Sequence, residues 1–372
     1  MTTTDRRVRL MIPGPVDVED DILAALAEPT LPHYGQVWLP LYQETLERLK
    51  QVFGTRNDLF MIPGAGTAAL EAAMSSLMHR GDKVLVPHNG FFGRRMGKVA
   101  QDWGLEVIPV EAPSGRPLDP QAIRRRLASE PDVQAVVVVH LETSTGVLNP
   151  LQEIAAVTNE LGVPIIVDAV SSLGGVPLPV DEWGIDVCVT VINKCLACPP
   201  GVAPISVSRR AWEQIERKGE RGHGWYLNLE TWRWYATNWP WHPTPVTLPT
   251  NNIFALLTSL RQITEGGLEA HYARYTHAAH RVREDLRRLG FEMFAAKDCA
   301  SPLITAVRPL PGMDVSDLQK YLQREHQILI SGGLDDLFGK IFRVGHIGKA
   351  ASPDYVKAFL AGVEAYLSQN PV

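Results

Sequence analysis

The sequence lacks the features that mark secreted, membrane-spanning and nucleic-acid-binding proteins. It has only 4 cysteines in 372 residues, and Cys188, Cys195 and Cys198 are crowded together, which does not suit a secreted disulfide framework. No apolar run reaches the roughly 18 residues of a membrane-spanning helix, and the first residues contain no apolar stretch of signal-peptide length. A formal net charge of −5 offers no basic face to nucleic acid. We therefore expect a cytoplasmic protein without membrane or nucleic-acid partners.

Length and composition indicate an ordinary globular chain with more than one core. Hydrophobic residues make up 45% and charged residues 21% of it, as in folded domains. A chain of 372 residues is too long for one ordinary core. We predict an α/β protein whose large domain, residues 16–255, has a mostly parallel seven-stranded sheet, and whose smaller α+β domain combines residues 1–15 and 256–372.

The large domain is predicted from short β-branched runs that alternate with helical patterns between residues 59 and 210, as in a parallel sheet with crossover helices. The predicted strands are Leu59–Ile62, Lys83–Val86, Glu106–Val110, Gln134–His140, Pro164–Asp168, Val187–Val191 and Ala203–Val207. The predicted helices are Thr67–His79, Gly93–Trp103, Pro120–Ser129 and Leu151–Leu161. Residues 219–251 are rich in tryptophan and proline and are predicted to be irregular, and a long helical segment is predicted over residues 252–289.

Polar segments follow several of these strands. In an open parallel sheet, ligands bind beyond the carboxyl ends of the strands. The segments are Gly64–Thr67, which opens a helix and so could hold a phosphate, His140–Gly146, Asp168 and Asn193–Leu196. We expect them to meet at one edge of the sheet.

A lysine and a buried carboxylate at such an edge suit amino-acid chemistry through an imine. The lysine forms the imine and moves a proton, and pyridoxal phosphate (PLP) supplies an electron sink whose ring nitrogen needs a carboxylate partner. Lys194 and Asp168 occupy suitable positions. Taken singly, a lysine after a strand more often points into solvent, and a strand-end aspartate is as often a turn cap.

Considered together, the segments favour the catalytic interpretation of Lys194 and Asp168. The chain resembles the class V (fold type I) PLP-dependent aminotransferases in the order and spacing of its motifs. The matching segments are Pro13–Pro15, Gly64–Glu71, His140–Pro150, Asn193–Leu196 and Arg343–Gly345. The nearest resemblance is to the alanine–glyoxylate, serine–pyruvate, 2-aminoethylphosphonate–pyruvate and pyridoxamine–pyruvate enzymes. It spans nearly the whole chain.

The resemblance implies roles for individual residues around PLP. Lys194 would be the Schiff-base lysine and Asp168 the partner of the pyridinium nitrogen, both catalytic. The other implied cofactor contacts are Phe92 stacking on the ring, Ala65, Gly66, Thr67 and Asn193 at the phosphate, and Thr143 near the phenolic oxygen.

The same resemblance implies substrate and subunit contacts. Arg343 would bind the substrate carboxylate, because a guanidinium fits that planar anion, and Gly14 and His33 would lie at the substrate pocket. Thr247 would reach the phosphate held by a partner subunit, which implies a homodimer with shared active sites. Thr244 stands where relatives commonly have tyrosine, so either threonine could make that contact.

The resemblance predicts a ping-pong aminotransferase that takes an amino group from an alanine- or serine-type donor and gives it to glyoxylate or pyruvate. Pyridoxamine–pyruvate or 2-aminoethylphosphonate–pyruvate transfer is the alternative, since Asn193–Leu196 looks more like those enzymes. A cysteine desulfurase, a non-catalytic cofactor-binding protein and a nicotinamide dehydrogenase are disfavoured. No metal site is predicted, because Cys195 and Cys198 have no further ligands nearby in the sequence.

Overall fold

The computed structural model describes residues 8–219 and 224–370. The helices are α1 (Asp20–Leu26), α2 (Trp38–Phe53), α3 (Gly66–Leu77), α4 (Phe91–Trp103), α5 (Pro120–Ser129), α6 (Leu151–Glu160), α7 (Arg209–Lys218), α8 (Leu229–Asn238), α9 (Thr250–Glu265), α10 (Leu268–Arg288), α11 (Val315–His326) and α12 (Pro353–Gln369). The strands are β1 (Arg9–Leu10), β2 (Asp58–Pro63), β3 (Lys83–His88), β4 (Glu106–Glu111), β5 (Val133–Val139), β6 (Leu141–Glu142), β7 (Val147–Leu148), β8 (Ile165–Asp168), β9 (Val187–Val189), β10 (Val202–Val207), β11 (Glu292–Met293), β12 (Ile304–Arg308), β13 (Ile328–Leu329), β14 (Ser331–Gly332) and β15 (Phe342–Gly345).

The larger sheet has seven strands in the order β2-β10-β9-β8-β5-β3-β4. Strands β9, β8, β5, β3 and β4 pair in parallel, and β10 runs antiparallel to both of its neighbours. The central strand β5 is almost entirely buried, as expected of an apolar strand covered by helices on both faces. All seven predicted strands of the large domain are present, and the α/β class with a mostly parallel sheet is confirmed.

The smaller core combines the N-terminal segment with the C-terminal third of the chain. Its four-stranded sheet has the order β11-β12-β15-β14, and β1 pairs in parallel with β13 beside it. The segment after β1 is held by hydrogen bonds from the Met11 amide to the Leu329 carbonyl and from the Gly345 amide to the Met11 carbonyl. The N-terminal segment therefore belongs structurally to the smaller sheet.

The two largest hydrophobic clusters among the described residues lie one at each sheet, and α9 packs with the larger one. That core includes Ile253 and Ile263, whereas the smaller one contains Met11 and residues from Ala278 to Tyr366. The division into residues 16–255 and the remainder stays a prediction, and its ranges include residues 1–7 and 371–372, which lie outside the described residues. In the part of the chain that is described, no helix combines the length and apolarity needed to cross a bilayer.

One expectation about the middle of the chain was wrong. Residues 219–251 are not wholly irregular, because α8 forms within them, started by the Asn228 side chain, which accepts a hydrogen bond from the Glu230 amide. The rest of that range includes residues 220–223, which lie outside the described residues. The helical segment predicted over residues 252–289 is present as α9 and α10. The two helices are separated at Gly266 and Gly267, where Gly267 has a φ of +83° that only glycine adopts easily.

Candidate active site

A cavity of about 520 Å³ opens at the carboxyl edge of the larger sheet, which is within the roughly 300–1,000 Å³ usual for small-molecule sites. The residues that line it end β8, follow β2, β8 or β9, precede β10, or lie in the first two turns of α3 and α4. They are Gly64, Ala65, Gly66, Thr67, Leu70, Phe92, Arg95, Met96, Asp168, Val170, Val191, Asn193, Lys194, Pro200 and Gly201. Seven of the residues predicted to bind the cofactor therefore share one cavity.

Lys194 lies in the turn after β9 with its amine directed at the N-terminal segment. Its Nζ donates a hydrogen bond of 2.6 Å to the Pro13 carbonyl. Burial lowers the pKa of Lys194 to about 8, and the nearby positive charge of Arg343 acts in the same direction. A methyl group built on Gly14 would lie 2.5 Å from Cδ and Cε of Lys194, so the chain passes too close to the lysine for any side chain at that position.

Asp168 ends β8 and is only 7% exposed. Its Oδ1 accepts a hydrogen bond of 2.9 Å from the Val170 amide, and no hydrogen bond from the described residues reaches Oδ2. Burial raises the pKa of Asp168 to about 6, against the lowering effect of the Val170 amide. A carboxylate that is buried with one oxygen unpaired requires a positive or N–H partner to stay ionised.

The N-terminus of α3 and the ring of Phe92 border the same cavity. Ala65 precedes the helix without a capping side chain, so the first amides of α3 remain free to bind an anion. A Cβ at Gly66 would lie 2.6 Å from the side chain of Val170, which explains the glycine here. Asn193 lines the cavity beside Lys194.

Arg343 reaches the site from β15 of the smaller sheet. Its Nε donates to the Gly332 carbonyl at 2.8 Å and its Nη1 to the Thr143 carbonyl at 3.1 Å. It is 5% exposed, and within the described ranges it forms no ion pair with a carboxylate. Burial lowers the pKa of Arg343 to about 10, although the Glu142 carboxylate opposes this. A buried guanidinium with unused donors is suited to bind an anionic ligand.

Thr143 is buried outside the cavity lining, and its Oγ1 donates to Ser171 Oγ at 2.7 Å. Glu142, beside it, was missed by sequence reasoning. Its fully buried carboxylate accepts hydrogen bonds from the amides of Phe92 (3.3 Å), Gly93 (3.0 Å) and Ser144 (3.0 Å). Glu142 thus anchors the first turn of α4, which carries Phe92, and its position just before the predicted Thr143 was the only signal for it.

Arg95 is a second residue that the sequence did not single out. It lies three residues after Phe92 on α4, and its Nη2 donates to Thr67 Oγ1 at 3.2 Å. Residues three apart share a face of a helix, so Phe92 and Arg95 both face the cavity.

His33 and Thr247 do not line the cavity of this chain. The His33 ring contacts Tyr34 and His242, with centroids 5.3 Å and 4.8 Å away. Thr247 is exposed. Thr244, in contrast, is fully buried and its hydroxyl donates to the Val246 carbonyl at 3.0 Å, so Thr247 is the better placed of the two for a partner subunit.

His140, Cys195 and Cys198 lie near the site as neutral side chains. His140 contacts Ser172 Oγ through Nδ1 at 3.0 Å, and burial lowers its pKa to about 3, so its ring is neutral. Burial raises the pKa of the Cys195 and Cys198 thiols to about 12, which makes them poor nucleophiles. Across the described ranges, no three His, Cys, Asp or Glu side chains are grouped as metal ligands would be.

The cavity therefore combines three chemical elements. Lys194 offers an amine that loses its proton more readily than an exposed lysine, and Asp168 offers a carboxylate in need of a partner. The start of α3 and Arg343 offer anion-binding groups at different positions around them. Such a set can hold a molecule that carries an aldehyde, a basic ring nitrogen and a phosphate next to a substrate with a carboxylate.

Comparison with known proteins agrees with this set of groups. The sequence profile of the family described as aminotransferase class-V matches residues 23–337. An uncharacterized aminotransferase of Methanocaldococcus jannaschii is 39% identical over 360 residues, 97% of this chain and 92% of that protein. A protein of Anabaena cylindrica named soluble hydrogenase 42 kDa subunit is 37% identical over 366 residues, 98% of this chain and 94% of its own length.

Solved structures show the same similarity. The crystal structure of ureidoglycine–glyoxylate aminotransferase from Bacillus subtilis matches with a TM-score of 0.94 at 30% identity, covering 100% of this chain and 96% of that one. At this level of agreement the two chains share one fold throughout, including the elements that border the cavity.

Proposed function

The chain belongs to the aminotransferase class-V family, and we propose that it uses pyridoxal 5'-phosphate to move an amino group from a small amino donor of the alanine or serine type to glyoxylate or pyruvate. The family is PLP-dependent, and its aminotransferases act on an amino donor and a keto acid. Glyoxylate is named as the acceptor of the Bacillus subtilis enzyme with the same fold. This support and the site geometry lead to the same reaction class.

The residues of the cavity fit this cofactor. When bound, PLP supplies an aldehyde carbon that condenses with amines and a protonated ring that withdraws electrons from the substrate Cα. Asp168 has an unpaired carboxylate oxygen for the ring N–H, and the free amides of α3 suit the phosphate. Phe92 can cover one face of the ring. Lys194 lies in the same cavity and would hold the aldehyde.

In this proposal Lys194 moves the proton at the substrate Cα. A general base works best when its pKa lies near the operating pH, and burial lowers the pKa of Lys194 to about 8. With its amine free, Lys194 would take the proton from the substrate Cα and would deliver it to the carbon on the other side of the amino nitrogen. Gly14 leaves room for this amine and Pro13 fixes its direction.

The buried and unpaired charge of Arg343 is the observation that favours a substrate with a carboxylate. It is buried, positively charged and without an anionic partner among the described residues, while two backbone carbonyls hold its guanidinium in place. Leaving such a charge unpaired is costly unless a ligand compensates it. An amino acid or keto acid carboxylate supplies that compensation.

The substrate assignment can be tested with a panel of donors. With glyoxylate and with pyruvate as acceptors, we expect turnover of alanine or serine, measured by chromatography of the amino acid formed. The control is the same panel with Lys194→Ala, which removes the proposed base. No turnover of alanine or serine, together with turnover of pyridoxamine or 2-aminoethylphosphonate, would replace the proposal by the alternative that Asn193–Leu196 suggests.

We also propose a homodimer with shared active sites. An exposed aromatic surface extends from Tyr34, which contacts His33, through a series of ring contacts. It is made by Tyr34 (46% exposed), Trp225 (53%), Trp234 (50%), Trp239 (39%) and Trp241 (53%). Exposed apolar surfaces of this kind mark protein contacts. Thr247 is exposed in the same part of the chain, so a second copy seated there could receive its hydroxyl at the phosphate.

The dimer proposal predicts complementation between two defective chains. Light scattering should give twice the monomer mass of 41.1 kDa. Lys194→Ala and Thr247→Asp damage opposite halves of a shared site, so mixing them under exchange should restore about a quarter of the sites, since half of the dimers are hybrids with one intact site. A monomeric mass, or no gain on mixing two dimeric variants, would contradict sharing.

A cytoplasmic location is part of the proposal. The four cysteines are buried and unpaired, as is usual in a reducing compartment. Recovery of the protein in a membrane or secreted fraction of its own cells would contradict it.

A further inference from the structure

Arg95 is the cationic side chain at the phosphate end of the cavity that the reaction described above does not use. It extends from the second turn of α4 toward the start of α3, where its Nη2 bonds Thr67 Oγ1 at 3.2 Å. Within the described ranges it forms no ion pair, so most of its five N–H donors are uncommitted. Its neighbour Arg94 points elsewhere and pairs with Asp335 at 2.9 Å.

The charges of the cavity show what Arg95 is needed for. Its ionisable lining residues are Arg95, Asp168 and Lys194. Asp168 is an acid and cannot balance an anion, and Lys194 would be joined to the aldehyde, so neither residue can neutralise the phosphate. The amides of α3 supply only the partial charge of a helix end, whereas a bound phosphate carries up to two full negative charges. Arg95 is the remaining cation.

Arg95 is also close enough to act on the cofactor site electrostatically. Its positive charge contributes to lowering the pKa of Asp168 against the effect of burial. Its partial exposure leaves it room to turn from Thr67 toward a ligand. A guanidinium is suited to a phosphate because two of its N–H groups can bind two oxygens at once.

We propose, building on the proposed function, that Arg95 is the phosphate anchor of this chain and sets its preference for the phosphorylated cofactor over its phosphate-free form. Thr67 Oγ1 holds the guanidinium over the start of α3 until the ligand arrives. The specificity for pyridoxal phosphate against pyridoxal thus comes from one side chain of the same subunit, assisted by the helix end.

The test compares the two forms of the vitamin on the full-length protein freed of cofactor. The dissociation constant of pyridoxal 5'-phosphate should rise about 10- to 100-fold in Arg95→Met, the loss expected for a charge-assisted hydrogen bond. That of pyridoxal should change less than about 2-fold, because it has no phosphate to lose. Arg95→Lys should fall between, and Arg94→Met, which removes the same charge one residue away, should behave as wild type.

Each outcome separates this proposal from the proposed function. Equal weakening of both ligands would make Arg95 a structural residue and overturn the proposal, as would no weakening of either. No uptake of pyridoxal phosphate by the wild-type chain would overturn the proposed function itself. A second measurement is independent of the cofactor: inorganic phosphate should raise the melting temperature of the wild type more than that of Arg95→Met, and equal rises would count against the anchor.

Discussion

Replacing Lys194 with alanine should lower turnover by at least about 10⁴-fold, the upper range for loss of a general base, and should abolish the absorbance that a lysine-bound cofactor gives at the violet edge of the visible spectrum. Two functions would disappear together, since the same amine holds the aldehyde and moves the proton. The fold should survive, because Lys194 forms one hydrogen bond, to the Pro13 carbonyl, and shortening its side chain leaves a space that is already part of the cavity.

Two controls make the Lys194 result specific. Lys98→Ala removes a lysine that is exposed and paired with Asp102 at 2.6 Å, and it should leave both the spectrum and turnover unchanged. Addition of ethylamine to Lys194→Ala should restore part of the activity by supplying a free base. Wild-type absorbance or turnover in Lys194→Ala would show that another group carries the chemistry.

Replacing Arg343 with glutamine should reduce kcat/KM for alanine by on the order of 10²–10³-fold, in line with the cost of losing one partner of a buried charge pair. Glutamine is long enough to keep one hydrogen bond to a backbone carbonyl, but it cannot offer a charged pair of donors to a carboxylate. The half-reaction with donor alone, followed by stopped-flow absorbance, measures this step without the acceptor.

Donor structure then distinguishes substrate binding from a general disturbance. Ethylamine has no carboxylate, so the wild type should strongly prefer alanine over it, and Arg343→Gln should lose most of that preference. Arg343→Lys keeps the positive charge but loses the two parallel N–H donors of the guanidinium, so it should retain only part of the preference for alanine. An equal fall for both donors, or a lowered melting temperature with an unchanged preference, would remove Arg343 from the substrate site.

The larger sheet was predictable because each of its strands combines a short apolar run with a flanking turn. Strand β5, for example, is buried along nearly its whole length, and burial on both faces gives a continuous hydrophobic signal. Helix α8 was not predictable in the same way, since its composition of tryptophan and tyrosine gives no clear polar face. The break at Gly266 and Gly267 was visible as a pair of glycines, but the helical pattern on either side concealed it.

Site residues that directly follow a strand could be predicted from the sequence. Site residues on a helix could not, because the direction of their side chains depends on how the helix is rotated about its axis. Asp168 and Lys194 meet because parallel strands end at one edge. Arg95 lies within the helix that was predicted, but which face of α4 is turned to the cavity depends on how the helix packs, and the sequence pattern does not give that rotation. His33 and Thr247 lie away from the cavity of the single chain, so the roles proposed for them rest on the proposed dimer.

The Pro13 carbonyl that holds the Lys194 amine lies just beyond Met11, which is bonded to both β13 and β15 of the smaller sheet. The Lys194 amine is therefore oriented by a hydrogen bond to the N-terminal segment, which the smaller sheet holds in place. Arg343 belongs to β15. The strand that carries the proposed substrate-binding arginine is therefore hydrogen-bonded to the segment that binds the lysine amine. The acceptor of the Lys194 amine and the residue proposed to bind the substrate carboxylate are therefore held by the same strand.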